Sequence, residues 1–485
     1  MDTRKAKTNF RWVICAMLFA ATTVNYLDRQ VLSLTFEEFI KPEFHWTDAH
    51  YGTITAVFSL CYAFFMLFAG RLVDWLGTRK GYTWAIVIWS AGACAHALCG
   101  RLTEAVTGYG SATAMLQAVG DGAVLISTVS MWAFLAARCL LAFGEAGNFP
   151  AAIKVTAEYF PKRDRAFATS VFNSGASIGA LVAPLTIPPL AKHFGWEWAF
   201  VIIGGLGFVW AGLWLFLYDE PHRSRFVSPA ELDYIESDRA AELPAGTEKK
   251  AAKVSIGRCF RHRQTWSLIV GKGLTDGVWW FFLFWTPSYL KAQFDINTSD
   301  PEGMMLIFTL YAIVMLSLLG GKLPTLIIRR TGWDPYRSRM RAMLLFAFFP
   351  LCVLLAQPLG QYSPWWPIVL IGIGCAAHQS WSANIFSTTG DMFPKSWIAT
   401  VTGIGGMAGG IGSFFIQKGA GNLFTYADRV QMQFLGYTGK SAGYEIAFIG
   451  CSVAYLLAWL IMKALVPVYR PVSEPDAESG SPTEA

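Results

Sequence analysis

Charged residues are scarce in this sequence: they make up 15% of its 485 residues, while hydrophobic residues make up 54%. Soluble domains carry about 25% charged residues, so too few charges are present to cover a soluble surface. The nine cysteines form no C-x-x-C pair, which argues against a disulfide framework or a zinc site. The net charge of +6 is not gathered into a basic patch, so no nucleic-acid partner is expected. These deficits favour a chain whose surface mostly faces hydrocarbon.

Long apolar runs are abundant instead. A bilayer core of about 30 Å needs about 20 apolar residues per helix, and the sequence contains twelve such stretches. We therefore predict an all-α membrane protein with twelve transmembrane helices in two six-helix pseudo-repeat bundles. The approximate limits are 11–35, 51–72, 82–100, 123–146, 166–190, 197–218, 266–290, 303–323, 341–357, 364–387, 398–418 and 444–467.

The basic residues predict the orientation of these spans. Of the 39 lysines and arginines, 29 fall in the N-terminus, the even-to-odd connections and the C-terminus. The opposite side holds Lys41, Arg101, Lys192, Lys291, Lys418, Arg429 and Lys440. Because basic loops stay in the cytoplasm, we expect both termini there. The first span runs on into charged residues without a small-residue cleavage site, so we interpret it as retained.

A long polar stretch divides the chain near its middle. The string Phe-Pro-Lys at 160–162 recurs at 393–395, and each copy lies between the fourth and fifth spans of its half. Two like halves around a central site are typical of secondary transporters. The loop contains a predicted helix from Ser228, with Glu231 in capping-box spacing. The predicted divisions are a six-helix bundle at 1–218, a cytoplasmic loop at 219–263, a second bundle at 264–469 and a disordered cytoplasmic tail at 470–485.

Charged residues nevertheless interrupt three predicted spans, and each costs about 2.5–3.5 kcal/mol at mid-span. Arg138 and Glu145 are seven residues apart, so they share a helix face about 10 Å from each other and cannot satisfy one another. Lys272 and Asp276 are four apart and can pair directly. That pair fits a structural role as well as a substrate role. The full set is Asp28, Arg29, Arg138, Glu145, Lys272 and Asp276.

This balanced set suits an organic anion as substrate. Guanidinium groups such as those of Arg29 and Arg138 bind a carboxylate through two parallel hydrogen bonds. An incoming carboxylate upsets the charge balance, and a buried acid that takes up a proton restores it. We expect Glu145 to be the main proton carrier and Asp28 the second, in a coupled titration.

Uncharged polar residues in the spans can contact sugar hydroxyls. Trp279 and Trp280 offer flat faces for an apolar ring surface, although lipid-facing or interfacial tryptophans are equally common. His378 lies deep in a span, where a structural hydrogen bond to a neighbouring helix is the alternative to a substrate contact. The glycines of 403–412 indicate close helix packing rather than a phosphate site. The hydroxyl-binding candidates are Tyr62, Asn173, Gln379 and Asn384.

The loop between the second and third spans, Gly70 to Lys80, resembles the signature G-x-L-x-D-x-x-G-x-R-K of the major facilitator superfamily. In that family the Asp and Arg of the loop lock the cytoplasmic side in the outward-facing state. The resemblance assigns this gate to Asp74 and Arg79. The corresponding loop from Gly320 lacks the Asp, so nothing is carried over there.

Two further motifs, N-Y-L-D-R in span 1 and R-x-x-x-x-x-G-E-A in span 4, resemble the anion:cation symporter group. The phrases GKGLTDGVWWFFLFWTPSYL and AAHQSWSANIFSTTGDMFP are most similar to bacterial hexuronate transporters. Galactonate-type relatives have Gln and Asn where this chain has Ala176 and Gly406, so its substrate contacts differ in part. The resemblance implies proton coupling by Asp28 and Glu145, and substrate recognition by Arg29, Arg138 and Tyr62.

The resulting hypothesis is a monomeric symporter in a bacterial inner membrane that imports a hexuronate with protons, or with sodium, and uses no other cofactor. Aldonates, aldarates and aromatic acids remain alternative substrates. A membrane-embedded enzyme is a more distant alternative, because no H-E-x-x-H motif occurs. A sensor would need a folded soluble output domain, and the C-terminal tail is short.

Overall fold

The computed structural model describes residues 8–237, 256–320 and 323–472, and nearly all of them are helical. A two-residue antiparallel hairpin, β1 (Gln433–Phe434) and β2 (Tyr437–Thr438), supplies the strands of the described part. The helices before the central loop are α1 (Phe10–Thr35), α2 (Lys41–Glu43), α3 (Asp48–Leu76), α4 (Thr78–His96), α5 (Cys99–Thr107), α6 (Ala112–Leu116), α7 (Asp121–Glu145), α8 (Asn148–Tyr159), α9 (Lys162–Phe194) and α10 (Trp196–Leu217). A π-helical turn, Phe36–Ile40, joins α1 to α2.

The remaining helices lie in and after the loop. The predicted disordered tail falls mostly outside the described residues, as does the lysine-rich end of the loop. A 3₁₀ segment, Phe349–Leu355, continues α17 into α18. The helices are α11 (Pro229–Glu236), α12 (Ile256–Cys259), α13 (Arg263–Phe294), α14 (Pro301–Val314), α15 (Ser317–Gly320), α16 (Leu323–Thr331), α17 (Pro335–Phe348), α18 (Ala356–Gly360), α19 (Trp365–Met392), α20 (Lys395–Arg429) and α21 (Lys440–Leu465).

Every predicted span falls on a helical segment, but not all of these segments are strongly apolar. Among the described residues, seven helices are long and apolar enough to cross a membrane, and the pair α4–α5, bent by 50°, would make an eighth. The predicted spans on α13, α14, α19 and α20 are not among them. Helices α13, α19 and α20 carry charges, polar residues or many glycines, whereas α14 is only 14 residues long. The count of twelve spans stays a prediction.

Glycines bring α20 close to two other helices, as the 403–412 pattern predicts. A Cβ at Gly412 would lie 1.8 Å from the carbonyl oxygen of Gly273 on α13, and one at Gly410 would lie 2.2 Å from the Cβ of Ala63 on α3. Only glycine permits such backbone approach. Helix α20 is thereby packed against both α13 and α3, one helix from each side of the central loop.

The parts before and after the central loop, called here the first half (8–218) and the second half (264–472), meet at one end of the bundle. We call the end where α1 begins the linker end and the opposite end the far end. Ser33 donates to the carbonyl oxygen of Phe284 at 3.0 Å, and Tyr51 donates to the same oxygen at 3.0 Å. Among the bonds that join two described residues, none links the halves at the linker end. The halves are therefore bonded from the far end to mid-bundle.

A compact group of charges strengthens this contact, and we call it the far-end cluster: Glu37, Lys41, Asp48 and Lys440. The ammonium group of Lys440, from the second half, lies 3.1 Å from Glu37 and 3.1 Å from Asp48. Lys41 lies 2.9 Å from Glu37 and 3.2 Å from Asp48. Because the first half contributes two carboxylates and one ammonium, Lys440 supplies the charge that neutralises the cluster.

The loop helix α11 caps the start of α1. Ser228 accepts from the backbone N–H of Glu231, as the capping spacing predicts, but the Glu231 side chain binds α1 instead of closing the capping box. Its carboxylate accepts from the backbone N–H of Phe10 at 3.0 Å and from that of Arg11 at 3.1 Å. Burial raises the pKa of Glu231, but hydrogen bonds from Thr8, Arg11 and Phe10 outweigh burial and hold the pKa below its usual value. The carboxylate thus satisfies free N–H groups at a helix N-terminus.

Replacing Lys440 with methionine should weaken the far-end contact. Lys440→Met keeps the apolar stem but removes the two ion contacts that Lys440 makes with the first half, so the population separated at the far end should rise by on the order of tenfold. Double electron–electron resonance between spin labels at Ser111→Cys and Thr438→Cys, in a background without native cysteines, measures this population.

Lys418→Met is the matched control for that experiment. Lys418 also crosses between the halves, but its ammonium meets the neutral hydroxyl of Thr53 at 2.6 Å. This variant should change the distance distribution much less. If Lys440→Met leaves the distribution unchanged, the far-end cluster does not hold the halves together.

Glu231→Gln should lower the thermal midpoint by on the order of a few °C at neutral pH. Because the folded pKa of Glu231 is depressed, its ionised form contributes stability above the unfolded pKa of about 4.3, and this contribution is lost as pH falls through the folded pKa. The difference from the unsubstituted chain should therefore shrink below about pH 4. Tryptophan fluorescence follows the melting, with the exposed Asp233→Asn on the same helix as control. A difference that does not vary with pH would contradict this.

Candidate functional site

The four predicted charges of the first half come together inside it. Asp28 and Arg29 lie on α1 and Arg138 and Glu145 on α7, and none of the four is more than 4% exposed. The Nε of Arg29 donates to the Oε2 of Glu145 at 2.6 Å. Arg138 lies two turns from Glu145 on α7 and cannot pair with it. Glu145 instead pairs with Arg29 of α1.

Arg138 and Asp28 are buried, and several of their polar atoms have no hydrogen-bond partner among the described residues. The Nη2 of Arg138 donates to the carbonyl oxygen of Arg29 at 2.9 Å, and its guanidinium lies over the Phe58 ring at 4.7 Å. Among the described residues, the Nε and Nη1 of Arg138 and both carboxylate oxygens of Asp28 have no hydrogen-bond partner. Buried polar groups normally find partners, so such free atoms call for an explanation. A ligand or a proton that enters this region is one.

Aromatic rings surround the guanidinium of Arg29. Its central carbon lies 4.6 Å from the Tyr62 ring centroid and 5.1 Å from that of Tyr26. Trp280 of the second half lies at 5.1 Å. Tyr62 is thus placed beside the predicted substrate arginine, as the resemblance implies. Cation–π contacts at these distances favour the charged guanidinium in this position.

The second half carries a separate ion pair. Lys272 and Asp276, predicted to pair across one helix turn, are 2.7 Å apart on α13. The ammonium group also lies 4.3 Å from the centroid of the Phe386 ring on α19. A Cβ at Gly409 would lie 2.2 Å from Asp276, so α20 packs directly on this carboxylate. The pair satisfies itself, and its substrate role stays a prediction.

His378 and Trp279 contact each other rather than an open space. Their rings stack with centroids 5.6 Å apart and planes 9° apart. The Nδ1 of His378 also lies 2.8 Å from the hydroxyl of Tyr455 on α21, which is the structural hydrogen bond weighed as the alternative for this histidine. One face of Trp279 is therefore occupied by His378, whereas the next residue, Trp280, is the tryptophan that reaches Arg29.

The uncharged polar candidates differ in how deeply they are buried. Asn384 is buried, and its Nδ2 donates to the carbonyl oxygen of Ser380 one turn earlier, at 2.8 Å. Gln379 is half-buried on the same helix. Asn173 is exposed, although it lies on the face of α9 that carries the buried Ala180. Asn173 lies nearer the linker end of this face than Ala180 does.

The predicted gate residues bind partners in the first half and at the start of the central loop. Asp74 pairs with Lys154 at 2.8 Å, and Arg79 lies 3.7 Å from Asp219. Both residues lie at the linker end, and neither pairs with a described residue of the second half. Their role as a gate stays a prediction.

The sequence reasoning missed the far-end cluster and the contact made by Trp280. Lys440 was counted only for orientation, because it precedes the predicted last span, whereas α21 in fact begins there. No role was predicted for Glu37 or Asp48. The cluster could have been predicted from opposite charges at helix ends that lie on the same side of the membrane in both halves.

Comparison with known proteins identifies the family. Residues 18–416 match the model of the Major Facilitator Superfamily. The hexuronate transporter of Escherichia coli K12 is 30% identical over 414 residues, which cover 84% of this chain and 86% of the relative. The galacturonate transporter of Dickeya chrysanthemi is 28% identical and covers 65% of this chain and 82% of its own length. The D-galactonate transporter of Escherichia coli O6:H1 is 25% identical, with coverages of 85% and 89%.

Solved structures agree on the fold. The crystal structure of a D-xylose-proton symporter superposes with a TM-score of 0.66 at 14% identity and covers 95% of this chain and 98% of that one. A bacterial homolog of the human lysosomal transporter Spinster, in an inward-facing and occupied conformation, gives 0.64 at 17% identity, with coverages of 95% and 97%. The predicted helical membrane fold and the predicted resemblance are confirmed. The chain belongs to the Major Facilitator Superfamily, and it is a multi-pass membrane transporter of small molecules.

Proposed function

We propose that this transporter is a proton-coupled symporter that imports a hexuronate, such as glucuronate or galacturonate, across a bacterial inner membrane as a monomer. The similarity to hexuronate, galacturonate and D-galactonate transporters supports a sugar acid as substrate. The observation that carries the proposal is the buried ion pair of Arg29 and Glu145, with the free donors of Arg138 beside it.

Arg29 and Arg138 would hold the substrate carboxylate. Arg138 has unused N–H groups on a buried guanidinium, and a carboxylate is the ligand that such a planar donor set fits best. Arg29 is committed to Glu145 through one bond of 2.6 Å. A substrate carboxylate that approaches Arg29 therefore competes with Glu145 for the same cation.

Protonation of Glu145 resolves this competition. The four charges of the first half sum to zero, so one added carboxylate leaves an excess negative charge in a dry region, which is costly. When Glu145 accepts a proton, it releases Arg29 to the substrate, and the complex is neutral again. Asp28 is the second proton carrier, because its buried oxygens have no partner among the described residues. Proton and anion then leave together on the other side.

The orientation of the spans assigns the conformational state. Basic loops favour a cytoplasmic linker end, and the bonds between described residues of the two halves run from the far end to mid-bundle, which corresponds to an inward-facing state. Import requires that these bonds break and that the linker end closes. Asp74 and Arg79, which here bind Lys154 of the first half and Asp219 of the central loop, would contribute to closure of the linker end in the outward-facing state.

Hydroxyl groups of the sugar would be met by the uncharged polar residues. Tyr62 is adjacent to Arg29 and can contact a hydroxyl next to the carboxylate. The second half would supply the opposite wall of the site as the halves rock around it. The proposed wall residues are Asn173 from the first half and Lys272, Trp279, His378, Gln379 and Asn384 from the second.

Glu145→Gln should abolish accumulation of substrate driven by a proton gradient while sparing exchange. The amide cannot carry a proton, but its neutral side chain mimics the protonated acid that leaves Arg29 free for the substrate. Labelled glucuronate in liposomes measures both activities: uptake under an imposed pH gradient and counterflow without one.

Two controls accompany this experiment. Glu302→Gln removes an exposed carboxylate at the far end and should leave both activities unchanged. A sodium gradient imposed without a pH gradient distinguishes the coupling ion. Accumulation against a gradient by Glu145→Gln would refute the assignment of Glu145, and accumulation driven by sodium alone would refute proton coupling.

Uronates should compete for labelled glucuronate at least about tenfold better than the matching neutral sugars. A charge-assisted bond to a guanidinium contributes roughly 1.5–3 kcal/mol, or about ten- to a hundredfold in affinity. The measurement is uptake inhibited by glucuronate, galacturonate, glucose, an aldarate and benzoate. Stronger inhibition by benzoate than by either uronate would point to an aromatic acid as substrate.

A further inference from the structure

Among the described residues, Trp280 is the aromatic residue that the second half places over the guanidinium of Arg29. Its ring lies 5.1 Å from the guanidinium carbon, comparable with Tyr26 at 5.1 Å and Tyr62 at 4.6 Å. The indole is itself held in place, with the Phe284 ring 5.4 Å away on the same helix and the Phe58 ring 5.8 Å away on α3. Trp280 thus meets Arg29 as a packed side chain and not as a chance surface contact.

The guanidinium of Arg29 can make hydrogen bonds and cation–π contacts at the same time. Its N–H donors lie in the plane of the group, and the Nε is occupied by Glu145. Aromatic rings attract the cation without consuming these donors, because a cation–π contact is made through the face of the ring. A ring such as that of Trp280 can therefore restrain Arg29 and still leave in-plane donors for a carboxylate.

We propose that Trp280 is a positioning residue for the substrate carboxylate: it holds Arg29 from the second half, so the arginine site of the first half is complete only when the halves meet. This rests on the proposed function. One turn beyond Trp280 on α13, the carbonyl oxygen of Phe284 accepts from Ser33 of α1 at 3.0 Å. Separation at the far end moves α13 from α1 and withdraws Trp280 from Arg29. Carboxylate binding and far-end closure are thereby linked.

Fluorinated tryptophans at position 280 test this contact, because each added fluorine weakens the electrostatic attraction of the ring for a cation while its shape is nearly kept. The equilibrium Kd of the purified full-length protein for glucuronate should rise stepwise with fluorine number. The total rise should be roughly three- to thirtyfold, the range of a cation–π contact. A purely structural tryptophan would give no such series.

Trp285 provides the matched control on the same helix. It is buried and packs against Tyr51 of the first half at 5.0 Å, but no cation of the described residues lies over its ring. The same fluorine series at position 285 should leave the glucuronate Kd without a trend. Where fluorinated protein is scarce, Trp280→Phe, which keeps a ring face, should bind within a few-fold of the unsubstituted chain, and Trp280→Leu should bind more weakly than Trp280→Phe.

Each outcome decides the inference. A flat series at 280 in a chain that still binds glucuronate overturns the role of Trp280 and leaves the proposed function intact. Equal trends at 280 and 285 overturn it as well, because they indicate general packing between the halves. If the unsubstituted chain binds no uronate at all, the proposed function fails together with this inference. A stepwise rise confined to 280 supports it.

Discussion

An ion pair buried inside the first half constrains much of the arrangement around it. Arg29 and Glu145 are 2.6 Å apart, and neither is more than 4% exposed. Taking such charges from water costs several kcal/mol each, and removal of one partner leaves the other uncompensated. Helices α1 and α7 must therefore stay in register with each other. The pair is a poor source of stability by itself, which suggests that it is retained for what it does when it opens.

The pair belongs to a set that balances charge without using all of its hydrogen bonds. Arg138 and Asp28 bring one further charge of each sign, yet the guanidinium keeps two free nitrogens and the carboxylate keeps two free oxygens among the described residues. A set built only for stability would be expected to satisfy these atoms. The four charges of the first half sum to zero but leave polar atoms without partners. Binding an anion together with a proton should therefore cost less free energy than binding the anion or the proton alone, because only the two together keep the site neutral.

Spacing along one helix predicted contacts within that helix and nothing beyond it. The four-residue separation of Lys272 and Asp276 was sufficient to predict their 2.7 Å contact, and a seven-residue separation correctly excluded a bond between Arg138 and Glu145. That Arg29 is the missing partner depends on how α1 packs on α7, which no local pattern encodes. Local sequence patterns also could not predict the far-end cluster, because Lys440 is about 400 residues away from the other three members along the chain.

Adjacent tryptophans show the limit most directly. Trp279 and Trp280 differ by one position and about 100° around α13, and composition gave no reason to prefer either. One stacks on His378 of its own half, whereas the other reaches Arg29 across the boundary. Helices α13 and α19, which carry these tryptophans and His378, do not meet the criterion of length and hydropathy for a span, whereas α1 and α7 do. On α13 and α19 the polar residues that are useful at a site also obscure the helix as a span.

The far-end cluster and the pair of Arg29 and Glu145 have different tasks. The far-end cluster joins the halves and is partly accessible, with the Lys41 side chain 26% exposed, so water can replace its bonds as the halves part. The pair of Arg29 and Glu145 lies within one half, so a rigid rotation of the halves leaves it intact. In the proposed mechanism, a competing anion or a proton opens it. Movement and coupling would then be independent, and a transporter of that kind would leak. A side chain that touches the inner pair from the moving half removes this independence, and Trp280 is in that position.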